Sequence, residues 1–206
     1  MSKPWQSRRA AATVRKGDLR EQQILDRAEA LLSDVGYAAM TVADIAAAAG
    51  LTRGALYFYF GSKQDVLTAL VARTVQVLTE KASLARTDEG PVEDVIAGAV
   101  ERTAALWLDH GPVMRMAVDL GSTVPDIGSM WTAAAEESIT VIDDVLQRCK
   151  VPAHDGPDGA PALARALCWM IERNFYQASK VSARTIDETS RTCQAVWRAV
   201  ASQAAI

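Results

Sequence analysis

Four consecutive aromatic residues, Tyr57–Phe60, stand in a stretch that carries helix-terminating signals at both ends. Thr52 is a good N-cap, and Gly61 is the residue type that most often follows the end of a helix. Leu56 shares one helix face with the last aromatic, four residues on, and that face can pack on a core. Arg53 shares another face with the first aromatic. The pattern predicts a helix that turns hydrogen-bond donors outward, as a DNA groove requires.

The residues on either side of this helix predict two further helices. Thr41 and Asp44 have the spacing of an N-cap and a capping box, and Gly50 ends the helix that they begin. The aromatic helix starts two residues later, which gives the helix-turn-helix layout of many DNA-binding proteins. Downstream, Ser62 caps a new helix and places Lys63 in its first turn, where an anion such as a phosphate is favoured.

Positive charge is concentrated in the first part of the chain. The net charge of −3 combines residues 1–81, which hold 11 Lys and Arg against 8 Asp and Glu, with residues 82–206, which hold 11 against 17. A net negative charge on the whole chain is therefore compatible with a first domain that binds DNA. Residues 1–18 are basic and aperiodic, which predicts a flexible arm. The arm either contacts phosphates or the minor groove, or it is a solvated tail.

Residues 20–70 resemble the DNA-binding domain of the TetR family of bacterial transcriptional regulators. The resemblance holds its register without a gap. The positions that carry it are Ile24, Ala28, Leu32, Gly36, Thr41, Ile45, Ala46, Ala49, Gly50, Leu56, Tyr57, Tyr59, Phe60, Lys63 and Leu67.

This resemblance implies that the helix beginning at Thr52 enters the major groove. The DNA contacts that it implies are Thr41, Thr52, Arg53, Gly54, Tyr57, Tyr59 and Lys63, with Thr41 and Lys63 on phosphates. Arg53 is the candidate for a base edge, because Arg can donate two hydrogen bonds to guanine. The alternatives are a surface ion pair for Arg53 and rim packing for the tyrosines. Ala43 stands where some members carry a base-reading Arg, so that contact is absent.

Composition and resemblance together predict an all-α, two-domain, TetR-like fold. Half of the 206 residues are apolar and 6% are aromatic, which suits a helical protein with a sizeable core. The break at Asp88–Pro91 divides a helix-turn-helix domain with its connecting helix, residues 19–88, from a ligand-binding and dimerisation domain, residues 89–206.

About nine helices are expected. Their approximate ranges are 19–35, 41–49, 52–60, 63–82, 91–109, 113–120, 126–150, 162–180 and 185 to the end. Gly111 and Pro112 separate the fifth from the sixth. No apolar run reaches the roughly 18 residues that a membrane span needs. Three widely spaced cysteines do not imply disulfides, and we expect a cytoplasmic protein that does not contact the membrane.

The second domain holds four of the five tryptophans together with several methionines. Each could be ordinary core, but large aromatics and Met also line apolar pockets in helical bundles. Residues 107–200 further resemble the EthR-type branch of the family. The matches are Tyr57–Phe60, Ser62–Lys63, Trp131, Val141–Asp143, Ala166–Leu167, Met170, Glu172–Arg173, Ala178 and Trp197.

That branch holds long apolar ligands in a tunnel along the fifth, seventh and eighth helices. By position, the tunnel would be lined by Leu106, Trp107, Trp131, Ile142, Cys168, Ile171, Phe175 and Trp197. Cys168 and Ile171 replace two Asn of the relative, so its polar anchors are missing. Glu172 and Arg173 are either ligand groups or an ion-paired helix surface.

The resemblance also implies a homodimer that packs through predicted helices 8 and 9, where Ala195, Val196, Ala199 and Val200 suit close contact. We expect a repressor that binds a palindromic DNA operator and is released by a small hydrophobic effector. The alternative is a ligand-blind regulator with a filled core. No catalytic residue, metal site or cofactor is predicted, because His110 and His154 lack partners at ligand spacing and adjacent acidic pairs diverge on a helix.

Overall fold

The computed structural model describes residues 16–202, apart from the side chain of Lys16. These residues form eight α-helices and no strand, which confirms the all-α fold class. The helices are α1 (Lys16–Ala39), α2 (Val42–Ala48), α3 (Arg53–Tyr57), α4 (Lys63–Thr87), α5 (Val92–Leu120), α6 (Pro125–Arg148), α7 (Ala160–Ala178) and α8 (Ala183–Ser202).

The predicted basic arm lies largely outside the described residues. Its last three positions, residues 16–18, belong to α1, where Asp18 in the first turn suits the positive end of the helix dipole. The predicted end of the first helix at Gly36 is a break in α1. Gly36 has φ 73° and ψ 165°, a conformation that favours glycine, and helical turns resume after it to Ala39.

The N-cap signals and the Gly50 turn of the helix-turn-helix are confirmed, but α3 ends at Tyr57, with Phe58 as its C-cap, before the end that Gly61 predicted. Thr41 Oγ1 accepts a hydrogen bond from the Asp44 backbone N–H, and the Asp44 carboxylate accepts one from the Thr41 N–H. Gly50 forms the turn in the left-handed region, at φ 64°. Thr52 Oγ1 accepts from the Ala55 N–H at 3.1 Å and so begins α3. Leu56 is 1% exposed, as its core-facing position predicted.

The chain divides into two compact units within α4, one up to Val66 and one from Leu67 onward. The predicted boundary at residues 88–89 follows the loop signals at Asp88–Pro91. The first turn of α4 instead hydrogen-bonds within the first unit, through Ser62 and Lys63. Later residues of the same helix, among them Ala85, pack into the core of the second unit. Because α4 is continuous across the division between the two units, the sequence shows no loop or change of composition there.

Predicted helices 5 and 6 form one kinked element, α5. Its backbone leaves helical geometry at His110, with φ −121° and ψ 19°, and Pro112 lies inside the helix. Proline removes one backbone hydrogen bond, which a helix can absorb as a kink. The signal at Gly111–Pro112 therefore marks a bend rather than an end, and eight helices are observed where about nine were expected. Predicted helices 7, 8 and 9 are α6, α7 and α8.

The second unit has one continuous apolar core, to which α4, α5, α6, α7 and α8 all contribute. Charged contacts at its surface tie the helices together. Arg165 of α7 pairs with both carboxylate oxygens of Glu136 on α6, at 2.7 and 2.9 Å. Arg86 of α4 pairs with Asp144 of α6 at 2.6 Å. These helices surround the cavity described below. In the part of the chain that the structure describes, no helix is both long enough and apolar enough to cross a bilayer.

Candidate nucleic-acid interface and ligand cavity

The outer face of α3 is exposed and mostly unpaired. Arg53 is exposed and forms no hydrogen bond or ion pair with any residue in the range 16–202. The surface ion pair considered for it is therefore not formed there. Tyr57, one turn further, is 52% exposed. Between them, a Cβ on Gly54 would meet only Thr52 Oγ1, at 4.0 Å. The outer face of α3 thus combines side-chain hydrogen-bond donors with the backbone of Gly54, which carries no side chain.

Phe58 is an exposed aromatic residue that sequence reasoning did not assign to this face. It is 84% exposed, and its ring meets the ring of Tyr59 edge to face at 5.3 Å. Tyr59 itself is half-buried. A signal for Phe58 was present, because it follows Gly54 by four residues and so shares its side of the helix. An aromatic this exposed has little role in the folded unit itself.

Thr41 uses its donors within the capping box. Its hydroxyl lies 2.6 Å from Asp44 Oδ2, and its backbone N–H donates to the same oxygen at 2.9 Å. The hydrogen bonds from the Thr41 side chain and then its backbone lower the pKa of Asp44, and the nearby Arg53 charge acts in the same direction. A phosphate contact from Thr41 therefore requires its hydroxyl to turn away from Asp44. Thr52 uses its hydroxyl only as an acceptor, which leaves the hydroxyl proton available.

Lys63 is anchored to the end of α1. Its Nζ donates to the carbonyl oxygens of Tyr37 at 3.0 Å and Met40 at 2.8 Å, and it lies 4.3 Å from the Tyr37 ring centroid. A cation at a helix C-terminus stabilises the last carbonyls and the dipole. One ammonium proton remains for another acceptor. This anchor has no local sequence signal, because it joins Lys63 to residues 26 and 23 positions earlier in the chain.

The second unit contains a cavity of about 110 Å³. Seven of the eight residues predicted to line a tunnel lie on its wall: Leu106, Trp107, Trp131, Ile142, Cys168, Ile171 and Trp197. Phe175 does not: its fully buried side chain belongs to the surrounding core but not to the cavity lining. Helical spacing places a residue on the inner side of a helix but does not distinguish the cavity wall from the packing behind it.

Burial raises the pKa of the two titratable groups that α7 brings to the wall. Burial raises the pKa of the Cys168 thiol to about 12, with the neighbouring carboxylates of Glu172 and Glu136 adding to the effect. The thiol is therefore a small apolar group rather than a replacement for an amide anchor. Burial also raises the pKa of Glu172, against a weak hydrogen bond from Trp131 Nε1 at 3.5 Å. Arg173 lies outside, over the Tyr176 ring.

Several wall residues were not predicted. The most informative are Lys81 of α4 and Arg102 of α5, which bring two cations to a mostly apolar wall. Arg102 precedes Leu106 by four residues, so helical spacing could have placed it on the same face. Among the described residues, no group of three or more His, Cys, Asp or Glu is arranged to hold a metal ion.

Comparison with known proteins connects this architecture to a family. The sequence pattern described as "Bacterial regulatory proteins, tetR family" matches residues 24–70. The HTH-type transcriptional regulator EthR of Mycobacterium tuberculosis is 32% identical over 192 residues, covering 83% of each chain. This chain belongs to the TetR family of transcriptional regulators and is of the EthR type.

Other relatives agree with the assignment. The HTH-type transcriptional repressor LfrR of Mycolicibacterium smegmatis is 31% identical over 159 residues, covering 76% of this chain and 77% of the repressor. A solved transcriptional regulator from Saccharomonospora viridis, in complex with choline, shares the fold with a TM-score of 0.71 and 20% identity, over 84% of this chain and 92% of that one. All of these proteins are transcriptional regulators, so this TetR-family chain is a DNA-binding regulator rather than an enzyme.

Proposed function

We propose that this TetR-family regulator is a ligand-responsive repressor that reads an operator through α3. The observation that carries the proposal is the outer face of α3, where Arg53 and Tyr57 are exposed around the bare backbone of Gly54. Arg53 would donate to a guanine edge, and the hydroxyls of Thr52 and Tyr57 would donate to phosphates. The exposed ring of Phe58 would contact a thymine methyl group.

Three of the predicted contacts have lesser roles in this proposal. Tyr59 is half-buried and would contact the backbone at the edge of the interface. Lys63 would offer a phosphate its one remaining proton while it stays on α1. Thr41 would join only by exchanging Asp44 for a phosphate oxygen.

We further propose that the protein acts as a cytoplasmic homodimer on a palindromic operator. A two-fold axis would place two α3 helices about one DNA turn, ~34–36 Å, apart. The faces available for dimerisation are on α7 and α8, predicted helices 8 and 9. Ala195, Val196 and Ala199 of α8 are exposed and Val200 is half-buried, and Trp169 of α7 is 38% exposed. Small residues allow two helices to approach closely.

The cavity supports control by a small, mainly apolar effector. Its walls come from α4, α5, α6, α7 and α8, so a bound molecule would touch every long helix of the second unit. An effector acts only through its different affinity for the DNA-competent and released forms. A tenfold loss of operator binding requires a difference of about 1.4 kcal/mol.

A ligand-blind regulator is the second candidate, and the size of the cavity favours it. The volume of about 110 Å³ is below the roughly 300–1,000 Å³ of most ligand pockets. For comparison, an engineered apolar cavity of about 150 Å³ in another protein binds benzene, so an effector here would have to be compact. Native mass spectrometry followed by organic extraction separates the two candidates. A dimer that carries a small molecule supports the effector, whereas a protein that retains no ligand and ignores every compound tested supports the ligand-blind form.

The DNA-binding face is tested by Gly54→Ala. The added methyl group meets no atom closer than 4.0 Å in the free protein, so folding should be unchanged or slightly stabilised. If α3 lies against DNA, the methyl group occupies the space of the DNA, and we expect affinity for DNA selected from a random library to fall about tenfold or more.

The matched control is Gly17→Ala, an exposed position of α1 where a Cβ meets nothing within 4 Å. It should keep wild-type affinity in the same fluorescence anisotropy titration. Wild-type DNA affinity in Gly54→Ala would show that the backbone of α3 does not approach DNA.

A further inference from the structure

The cavity wall holds an arginine, Arg102, that is half-buried overall but has two guanidinium nitrogens without partners. Nε and Nη2 of Arg102 are shielded from solvent and make no hydrogen bond, and Arg102 forms no ion pair within residues 16–202. Buried polar atoms in folded proteins are nearly always paired, because an unpaired donor loses its hydration without compensation. The two shielded nitrogens of Arg102 are therefore unfavourable for folding unless another group in the cavity accepts hydrogen bonds from them.

A second unpaired donor lines the same cavity from another helix. Trp197 of α8 is 3% exposed, and its Nε1–H is buried with no acceptor. Guanidinium and indole groups can only donate hydrogen bonds. Two other buried polar atoms in the described structure lack partners, on Thr74 and Asp143, but neither residue lies on this wall. The unsatisfied groups of the cavity thus require acceptors.

The ionisable groups of the wall also favour an anion. Lys81 of α4 and Arg102 of α5 bring two cations, and neither forms an ion pair with a described residue. The one carboxyl group on the wall, Glu172 of α7, lies beside Trp131 Nε1. Burial favours its neutral form by raising its pKa. The excess of positive charge faces a space whose remaining walls are aliphatic and aromatic.

We propose that the effector is a compact carboxylic acid, bound as its carboxylate by Arg102 and Trp197. The proposal rests on the ligand-responsive function above and specifies the chemical class of the ligand. A carboxylate matches the planar fork of one guanidinium group, and its second oxygen can accept from the indole. Leu106, Trp107 and Ile142 would enclose the apolar skeleton. A single guanidinium group and a volume of about 110 Å³ favour a small monoacid over a phosphate ester, which carries more charge.

The test compares acids with neutral and cationic molecules of the same shape. Phenylacetate, phenylacetamide and 2-phenylethylamine form one set, and octanoate, octanamide and octylamine form another. Each is titrated into the full-length dimer by calorimetry, with melting temperatures measured in parallel. We expect the acid of at least one set to bind about tenfold or more tightly than its amide or amine, as a charge-assisted pair should.

Arg102→Met identifies the group responsible. The variant should lose the preference for the acid, and its ligand-free form should melt at a higher temperature than the wild type, because two buried donors without partners have been removed. Arg27→Met is the matched control. Arg27 is exposed on α1, is not part of this wall, and should leave both properties unchanged.

Four results would each overturn the inference. They are equal binding of acid and amide, tighter binding of the amine, no binding by either set, and an unchanged preference for the acid in Arg102→Met. Release of selected DNA is measured with the same compounds. Amides that bind and release DNA as well as acids would leave the proposed function standing without the carboxylate site. An acid that binds through Arg102 without releasing DNA would support the site and contradict the proposed function.

Discussion

At Glu172, burial and a hydrogen bond act on one carboxyl group in opposite directions. Burial raises its pKa above the usual value, and the indole of Trp131 and the charge of Arg173 oppose that shift. A carboxyl group whose pKa is higher in the folded chain keeps its proton up to a higher pH when folded than when unfolded. Its contribution to stability is most favourable below its usual pKa and declines as pH rises through the folded pKa.

We therefore predict that Glu172→Gln raises the melting temperature at neutral pH, because it removes the need to ionise a buried group. The gain should disappear below the usual pKa of a glutamate, where the wild-type carboxyl is already neutral. Glu136→Gln is the opposite control. The ion pair with Arg165 lowers the pKa of Glu136, so this variant should lose stability at neutral pH and not in acid. Thermal melts across pH measure both, and a Glu172→Gln gain that persists in acid would assign the effect to packing alone.

Single residues also show what sequence reasoning could and could not supply. Arg53 and Tyr57 are exposed as predicted, because a cap at Thr52 fixes the helix register and hence the outward side. Phe175 was placed on the cavity wall but lies in the core behind it. Arg102 was missed although it shares a helix face with Leu106, because a charged side chain on such a face usually extends to solvent.

At the scale of helices, two cations join the ends of elements that are distant in sequence. Arg20 of α1 donates to the carbonyl of Ala49, which ends α2, at 3.1 Å. Lys63 of α4 donates to Tyr37 and Met40 at the end of α1. Both place a positive charge at the negative end of a helix. Together they hold the ends of α1 and α2 and the start of α4, which fixes the frame on which α3 is carried.

Lys63→Met tests this anchoring. Methionine keeps the aliphatic length of the side chain and removes the ammonium group, so two carbonyl contacts are lost. We expect unfolding of the first unit to require about 1–3 kcal/mol less, as hydrogen bonds from charged groups are worth that order. Hydrogen exchange should accelerate at the end of α1. Lys81→Met, in the same helix but with no hydrogen bond in the described structure, should change neither.

The salt dependence of DNA binding separates anchoring from phosphate contact. A residue that only contacts phosphate lowers the slope by about one when it is removed, without affecting stability. Unchanged stability with a lowered slope in Lys63→Met would contradict the anchor.

Helix limits could be predicted where a local cap sets them. They could not be predicted where tertiary packing sets them. The starts of α2 and α3 follow from Thr41 and Thr52, whose hydroxyl bonds span three residues. The continuation of α5 through Pro112 does not follow from a local signal. Burial of Val113, Met114 and Met116 after the proline stabilises the helix beyond the bend. Local signals report a proline but not the tertiary contacts that compensate for it.

For the whole molecule, the family relationship accounts for the two units and their order along the chain. The division inside α4 is the part that sequence could not locate, because one helix contributes residues to both units. An effector site in the second unit can affect DNA binding in the first only if the two forms of the protein bind that effector differently. The proposed dimer would add a requirement of spacing, because both of its α3 helices would have to reach their half-sites together.

Base reading by a dimer through α3 is tested most directly by the sequences that the protein selects. We would select bound sequences from a random DNA library in parallel with the wild type and with Arg53→Ala. We expect the wild type to enrich a two-fold symmetric sequence whose half-site centres lie about one turn, 10–10.5 base pairs, apart. Arg53→Ala should lose preference at one G·C pair in each half-site, at a cost of about 1–3 kcal/mol. Failure of the wild type to enrich any sequence, or an identical motif from Arg53→Ala, would contradict it.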